Sequence, residues 1–163
     1  MNYQIRKMQP EEYPLLDDFL YEAIYIPEGA SAPPRSVIKS PELQVYIADF
    51  GTGKDDICFL AEADAKALGA VWVRDMDDYG HIADGVPSFA ISLYPQYRGE
   101  GIGTALLERM LQELRQRGYE KASLSVQKAN YAAKMYLRAG FQIVEEKEEE
   151  YIMVCRLRDK GVK

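Results

Sequence analysis

Leu93-Tyr94-Pro95-Gln96-Tyr97-Arg98-Gly99-Glu100-Gly101-Ile102-Gly103-Thr104-Ala105-Leu106-Leu107 is the stretch that decides how this chain is read. Pro87 to Tyr94 reads as a strand, which Pro95 stops because proline cannot donate to a ladder. Ile102 to Arg117 then carries a helical apolar stripe of Ile102, Ala105, Leu106, Met110 and Leu114, widened by Leu107 and Leu111. Arg115 and Arg117 suit the helix C-terminal dipole, and Gly118 suits the position after it. Between strand and helix lies a glycine-rich turn. A helix start leaves backbone N–H groups unpaired and carries about half a positive charge. Glycines let those amides close around an anion without side-chain interference. The expected ligand is a phosphate or pyrophosphate, with Arg98 as a further cation. Each charge-assisted hydrogen bond there is worth ~1.5–3 kcal/mol.

Two phosphate-binding signatures fail on these residues. A nucleotide P-loop needs a lysine at its glycine turn, and none stands here. The dinucleotide fingerprint needs a third glycine where this chain has Thr104, and it normally opens an N-terminal unit.

Outward from the turn, the pattern is mixed. Tyr3 to Met8 alternates as a strand, and Pro10 opens a helix that runs through Leu15, Leu16, Phe19, Leu20 and Ile24. Pro27, Gly29, Pro33 and Pro34 then make a long loop, and Pro41 to Leu43 is a short piece. Val45 to Ala48, Ile57 to Ala63 and Leu68 to Arg74 read as strands, with a hairpin at Asp64 to Lys66. Ala122 to Val126 is a strand, Asn130 caps a helix from Tyr131 to Ala139, and Gly140 ends it. Phe141 to Val144 and Tyr151 to Leu157 close the chain as a hairpin, with the acidic run Glu145 to Glu150 as its solvated turn. The order predicts an α/β (α+β) fold: a mixed, largely antiparallel twisted sheet flanked by helices, in one domain over residues 1–163.

Composition agrees. A chain of 163 residues with 47% hydrophobic and 28% charged residues is globular and long enough to build a core without staples. Twenty Lys+Arg against 26 Asp+Glu, net charge -6, argues against a nucleic-acid partner. No apolar run suggests a membrane partner or a signal core. Cys58 and Cys155 sit in apolar strand-like runs and read as buried free thiols of a cytoplasmic protein. With no CxxC spacing and a single histidine, His81, no metal site is expected.

Arg98-Gly99-Glu100-Gly101-Ile102-Gly103 fits the acyl-CoA pyrophosphate loop Arg/Gln-x-x-Gly-x-Gly/Ala, and at this point the sequence resembles the GNAT N-acetyltransferase superfamily. Asn130-Tyr131-Ala132-Ala133-Lys134-Met135-Tyr136-Leu137-Arg138-Ala139-Gly140-Phe141 resembles a second segment of that family, with Tyr131 in place of its common proline. The resemblance implies an enzyme that moves the acetyl group of acetyl-CoA, as cosubstrate, to a primary amine by direct attack in a ternary complex. It implies that the backbone of Ile91, Ser92 and Leu93 binds the pantetheine arm, with the Leu93 amide as oxyanion donor. Arg98, Gly99, Glu100, Gly101, Ile102, Gly103 and Thr104 would hold the pyrophosphate, and Asn130 would contact the cofactor. Tyr136 matches the family's general acid, which protonates the leaving thiolate.

The base stays unassigned. Many family members have a glutamate near the start of the splayed strand, where this chain has Pro87-Ser88-Phe89. Asp84, His81 and Glu62 are candidates, beside direct attack by an already neutral amine. The acceptor site would be built from residues 25–35 and 75–86, the latter with Asp75, Asp77, Asp78 and Asp84, and Trp72 and Tyr79 either line it or pack. The acceptor is a small-molecule amine or a peptide amine. The rival readings are a CoA-binding sensor or interaction module without turnover and a protein N-terminal acetyltransferase. Pairing between edge strands would give a homodimer.

Overall fold

The computed structural model describes residues 2–158. Seven strands form one sheet: β1 (Gln4–Lys7), β2 (Ile57–Ala63), β3 (Lys66–Arg74), β4 (Ser88–Leu93), β5 (Lys121–Gln127), β6 (Phe141–Glu146) and β7 (Glu150–Arg156), in the spatial order β1-β2-β3-β4-β5-β7-β6. Every neighbouring pair is antiparallel except β4 and β5. Four α-helices connect them: α1 (Leu16–Ala23), α2 (Pro41–Gln44), α3 (Ile102–Gln116) and α4 (Ala132–Ala139).

Side chains alternate across the sheet and sort into two cores. On one face, α3 lays Ile102, Leu106, Met110 and Leu114 against Phe59, Val71, Val73, Phe89 and Leu93, with α4 beside it. Each such fully buried side chain contributes about 1.5–3 kcal/mol. On the other face, α1 lays Leu16, Phe19 and Leu20 against Leu60, Ala70 and Trp72. Ser92 is buried among these apolar groups because its hydroxyl donates to the Phe19 carbonyl at 2.6 Å, which pins α1 to β4.

Three expectations need correction. Val45 to Ala48 is not a strand. Tyr46, Ile47 and Ala48 continue the turns of α2, their amides donating to Leu43 and Gln44 carbonyls at 2.8–3.1 Å. The pull is tertiary: Ile47 and Phe50 bury against the α1 face, and the Tyr46 carbonyl accepts the Trp72 indole N–H at 3.0 Å. The first helix is split as well. Pro14 lacks the N–H that an α-helix would use, so Pro10–Leu15 is a 3-10 helix and α1 starts only at Leu16. Finally, the acidic run is less of a turn than its charge suggests. Glu145 and Glu146 belong to β6 and Glu150 to β7, leaving 147–149 to reverse the chain.

Candidate active site

The ladder between β4 and β5 consists of a single pair, Ser88 opposite Ser123. Beyond it the two parallel strands diverge into a fork. Which backbone groups line the gap follows from the β3–β4 ladder. The Tyr94 amide donates to Leu68 at 3.0 Å, and in an antiparallel pair bonding alternates, so the even-numbered amides of β4 face β3. The odd-numbered ones face β5: Ser123 donates to the Pro87 carbonyl at 3.0 Å at the closed end of the fork. The N–H groups of Ile91 and Leu93 therefore point into the gap, whereas Ser92 turns its backbone to β3 and its hydroxyl to α1.

At the open end, α3 begins. Gly101 precedes it with φ 86° and Gly99 has φ 81°, a region that L side chains rarely occupy. A Cβ at either position meets nothing within 4 Å, so these glycines are there for backbone shape and not for room. The first helical bond runs from Ala105 to the Gly101 carbonyl at 3.1 Å, and no side chain caps the helix. The amides of Ile102, Gly103 and Thr104 are thus left without helical partners, and Glu100 stands exposed beside them.

Arg98 is less free than its sequence position suggested. Its guanidinium donates to the Leu93 carbonyl and to the Glu22 carbonyl and carboxylate, each at 3.1 Å, and ties the turn to the end of α1. Asn130 uses its side-chain oxygen to accept the Ala132 amide at 2.9 Å, the capping role expected of it, which leaves its side-chain NH2 unengaged.

Tyr136 lies one turn into α4, on the α3 side of the sheet, and is 7% exposed. Its ring packs on Phe141 at 5.8 Å, and Phe141 packs on Phe89 of β4 at 5.7 Å, so an aromatic trio sits beneath the fork. Its hydroxyl has no hydrogen-bond partner among the described residues. Burial pushes its phenol well above the ordinary range, so it stays protonated and able to donate.

The base candidates fare differently. Glu62 is bound to Arg6 at 2.9 Å and to Gln4 at 3.1 Å, and the Arg6 hydrogen bond lowers its pKa, which makes it a poor proton acceptor. Asp84 is fully exposed, with His81 Nε2 3.7 Å from it. It lines a surface hollow of about 410 Å³ shared with Gly118 and Tyr119, at the far end of α3 from the glycine turn. Trp72 is core and does not line a pocket. Tyr79 is half-exposed.

Sequence reasoning placed Asp78 in the acceptor-site loop but did not count it among the base candidates. Asp78 accepts the Ser88 hydroxyl at 2.8 Å, and Ser88 lies 3.2 Å from the Ser123 hydroxyl at the closed end of the fork. Both serines are fully buried, and all the sequence offered was serines in each of two strand-like runs.

Comparison with known proteins fits this geometry. The acetyltransferase (GNAT) family matches residues 19–141, and the chain belongs to it. It is 33% identical over 78 residues to mycothiol acetyltransferase of Propionibacterium freudenreichii, 47% of this chain and 24% of that protein. It is 30% identical over 70 residues to the ribosomal protein bS18-alanine N-acetyltransferase of Haemophilus influenzae, 43% of this chain and 48% of that protein. The chain thus matches half or less of the length of these two relatives. The PaiA N-acetyltransferase of Thermoplasma acidophilum, solved in complex with coenzyme A, superposes with a TM-score of 0.70 at 22% identity, covering 96% of this chain and 99% of that one. Among the described residues no helix is long and apolar enough to cross a membrane.

Proposed function

We propose that the chain is an N-acetyltransferase that moves the acetyl group of acetyl-CoA to a primary amine by direct attack in a ternary complex. The observation that carries this is the fork. Two strand amides face a gap whose open end meets three unpartnered helix amides, a continuous set of donors suited to an amide-bearing arm that ends in a diphosphate. The amides of Ile102 to Thr104 and the backbone of Gly99 to Gly101 take the diphosphate, with the side-chain NH2 of Asn130 beside them. Ile91 and Leu93 pair with the arm, and the Leu93 amide stabilises the oxyanion. Arg98 acts chiefly by bracing the turn against Glu22.

Bound there, acetyl-CoA supplies an activated acyl group. The protein's own groups supply position and protons. Tyr136 donates to the departing sulfur from the α3 side. Cys58 and Cys155 are both buried, Cys58 deeply enough to raise its thiol well above the ordinary range, so a covalent acyl-enzyme is not needed or favoured.

The acceptor enters from the α1 side. There Tyr21 donates to the Pro33 carbonyl at 2.6 Å, Arg35 pairs with Asp18, and Tyr25 reaches the Ala129 carbonyl at 3.3 Å. These ties hold residues 25–35 across the open end and support a small-molecule amine over a polypeptide.

A panel of amines assayed for release of free CoA thiol tests the reading. Saturable release with at least one amine is expected. Binding of CoA in calorimetry with no release from any amine would convert the protein into a sensor.

A further inference from the structure

We propose that Asp78 takes the proton from the acceptor amine, through the Ser88 and Ser123 hydroxyls, from the face of the fork opposite Tyr136. This rests on the acetyl-transfer reading above. Among the described residues Ser88 and Ser123 form the one pair that closes β4 onto β5, so their hydroxyls stand at the closed end of the gap. Both lie on the α1 side. Phe89, Ala122 and Leu124, their neighbours along each strand, point to the α3 core, and alternation sends the serines the other way. Tyr136 belongs to the α3 core, so the two groups flank the fork from opposite faces.

Asp78 is held in place from several directions. Oδ1 accepts from Ser88, while Oδ2 is buried and accepts nothing. The 75–87 loop is anchored by the Gly85 amide on Asp75 at 2.8 Å. It also lies flat on β5: a Cβ on Gly80 would come within 2.8 Å of the Leu124 carbonyl carbon. Tyr46 approaches from the end of α2, and its phenol is raised by burial and then by the Asp78 charge. Burial raises the Asp78 carboxyl as well, which brings it closer to the pH of use and makes it a stronger base. A buried carboxylate oxygen short of partners is costly, and besides Ser88 only the Tyr46 phenol and the Gly80 amide stand close enough to offset it.

The proton count closes. The ammonium passes one proton along Ser123 and Ser88 to Asp78, and the freed amine attacks the thioester carbon. The C–N bond forms and the C–S bond breaks, with the electron pair leaving on sulfur. The sulfur takes a proton from Tyr136, whose phenolate takes back the second N–H proton from nitrogen. Asp78 returns its proton to solvent.

The test uses two amines and two variants of the full chain. One amine is aliphatic, with a pKa of about 10, and the other is neutral at the assay pH. Asp78→Asn is expected to lose about 10²–10⁴-fold in kcat/KM with the first amine and essentially nothing with the second. Ser88→Ala cuts the same route with Asp78 intact, and is expected to show the same split even where Asp78→Asn folds poorly. Equal losses with both amines, or a loss of CoA affinity in calorimetry, would make the cluster structural and overturn the proposal. Active wild type with equally active variants would overturn it too. A wild type that binds CoA but never releases thiol would remove the transfer reading itself, and Asp78's role with it.

Discussion

Replacing Tyr136 by phenylalanine separates chemistry from stability in this protein. The hydroxyl makes no hydrogen bond among the described residues, and the ring is held by Phe141 at 5.8 Å. Tyr136→Phe therefore deletes no protein–protein hydrogen bond, against the ~0.5–1.5 kcal/mol that a typical one contributes. The packing stays, so the melting midpoint should shift by no more than about 2–4 °C, the response of a chain this size to ~1 kcal/mol. Turnover should fall about 10²–10⁴-fold, the range for a lost general acid, or ~2.7–5.5 kcal/mol at 1.36 kcal/mol per decade. The assay is steady-state release of CoA thiol at saturating amine, paired with calorimetry in which CoA affinity is unchanged. The pH dependence has a fixed sign. Burial raises the phenol, so the acid remains protonated through neutral and mildly alkaline pH, and the wild type's activity loss there should not come from Tyr136. Its contribution to stability is full below the unfolded value near 10 and is lost only as pH rises past it. Unchanged turnover when chemistry limits the rate would refute the acid role. A large loss of stability would refute the claim that the hydroxyl is structurally idle.

Four further outcomes follow from the geometry. Gly101→Ala should lower stability by about 1–2 kcal/mol through its φ of 86° alone, and weaken CoA binding. Gly103→Ala should be tolerated, since its Cβ meets Met135 Sδ at 3.6 Å and Leu93 at 3.8 Å, both ordinary contacts; thermal melts with and without CoA separate the two. Arg6 pulls the Glu12 carboxyl down to about 2 by a direct hydrogen bond. That pair stabilises the fold above the ordinary value of 4.5, and its contribution should fade as pH drops from there towards about 2, visible as a urea midpoint whose acid dependence weakens in Arg6→Met. Ser92→Ala should cost about 1 kcal/mol by leaving the Phe19 carbonyl without its 2.6 Å donor, read as a shift in chemical denaturation.

What was legible in the sequence was what is encoded locally. The stripe of α3, Gly101 and Gly118 at its ends, Pro95 after β4 and the Asn130 cap all depend on residues a few positions apart, and all stand where the pattern put them. The fork was reached only through family resemblance. Nothing in Ser88 or Ser123 alone says that one pair closes the two strands, because 35 positions separate them. The Val45 to Ala48 reading failed for the same reason: the β-branched pattern was real, but Trp72 and the α1 core decided the backbone. Arg98 shows the limit within a motif. The loop sequence assigns its charge to the turn, yet in the structure Glu22, 76 positions away, accepts its hydrogen bond.

In the proposed transfer, the sheet's two faces would give the reaction its direction. Leu93 and Ile91 offer their amides edgewise, in the plane of the sheet, so an acyl group held there is open on both sides. The α3 side is closed by Tyr136, Phe141 and Phe89, an apolar layer whose one donor is a phenol that burial keeps protonated. The α1 side carries Ser88, Ser123 and a carboxylate. A nucleophile that must shed a proton is best accommodated on the polar side, and a leaving thiolate that must gain one on the other. Asp78 then takes the first amine proton before attack, and Tyr136 exchanges the second one only after the C–S bond breaks. A single carboxylate moved to the Tyr136 position would lose that separation, because burial beside Phe141 would hold it neutral and leave the amine without an acceptor.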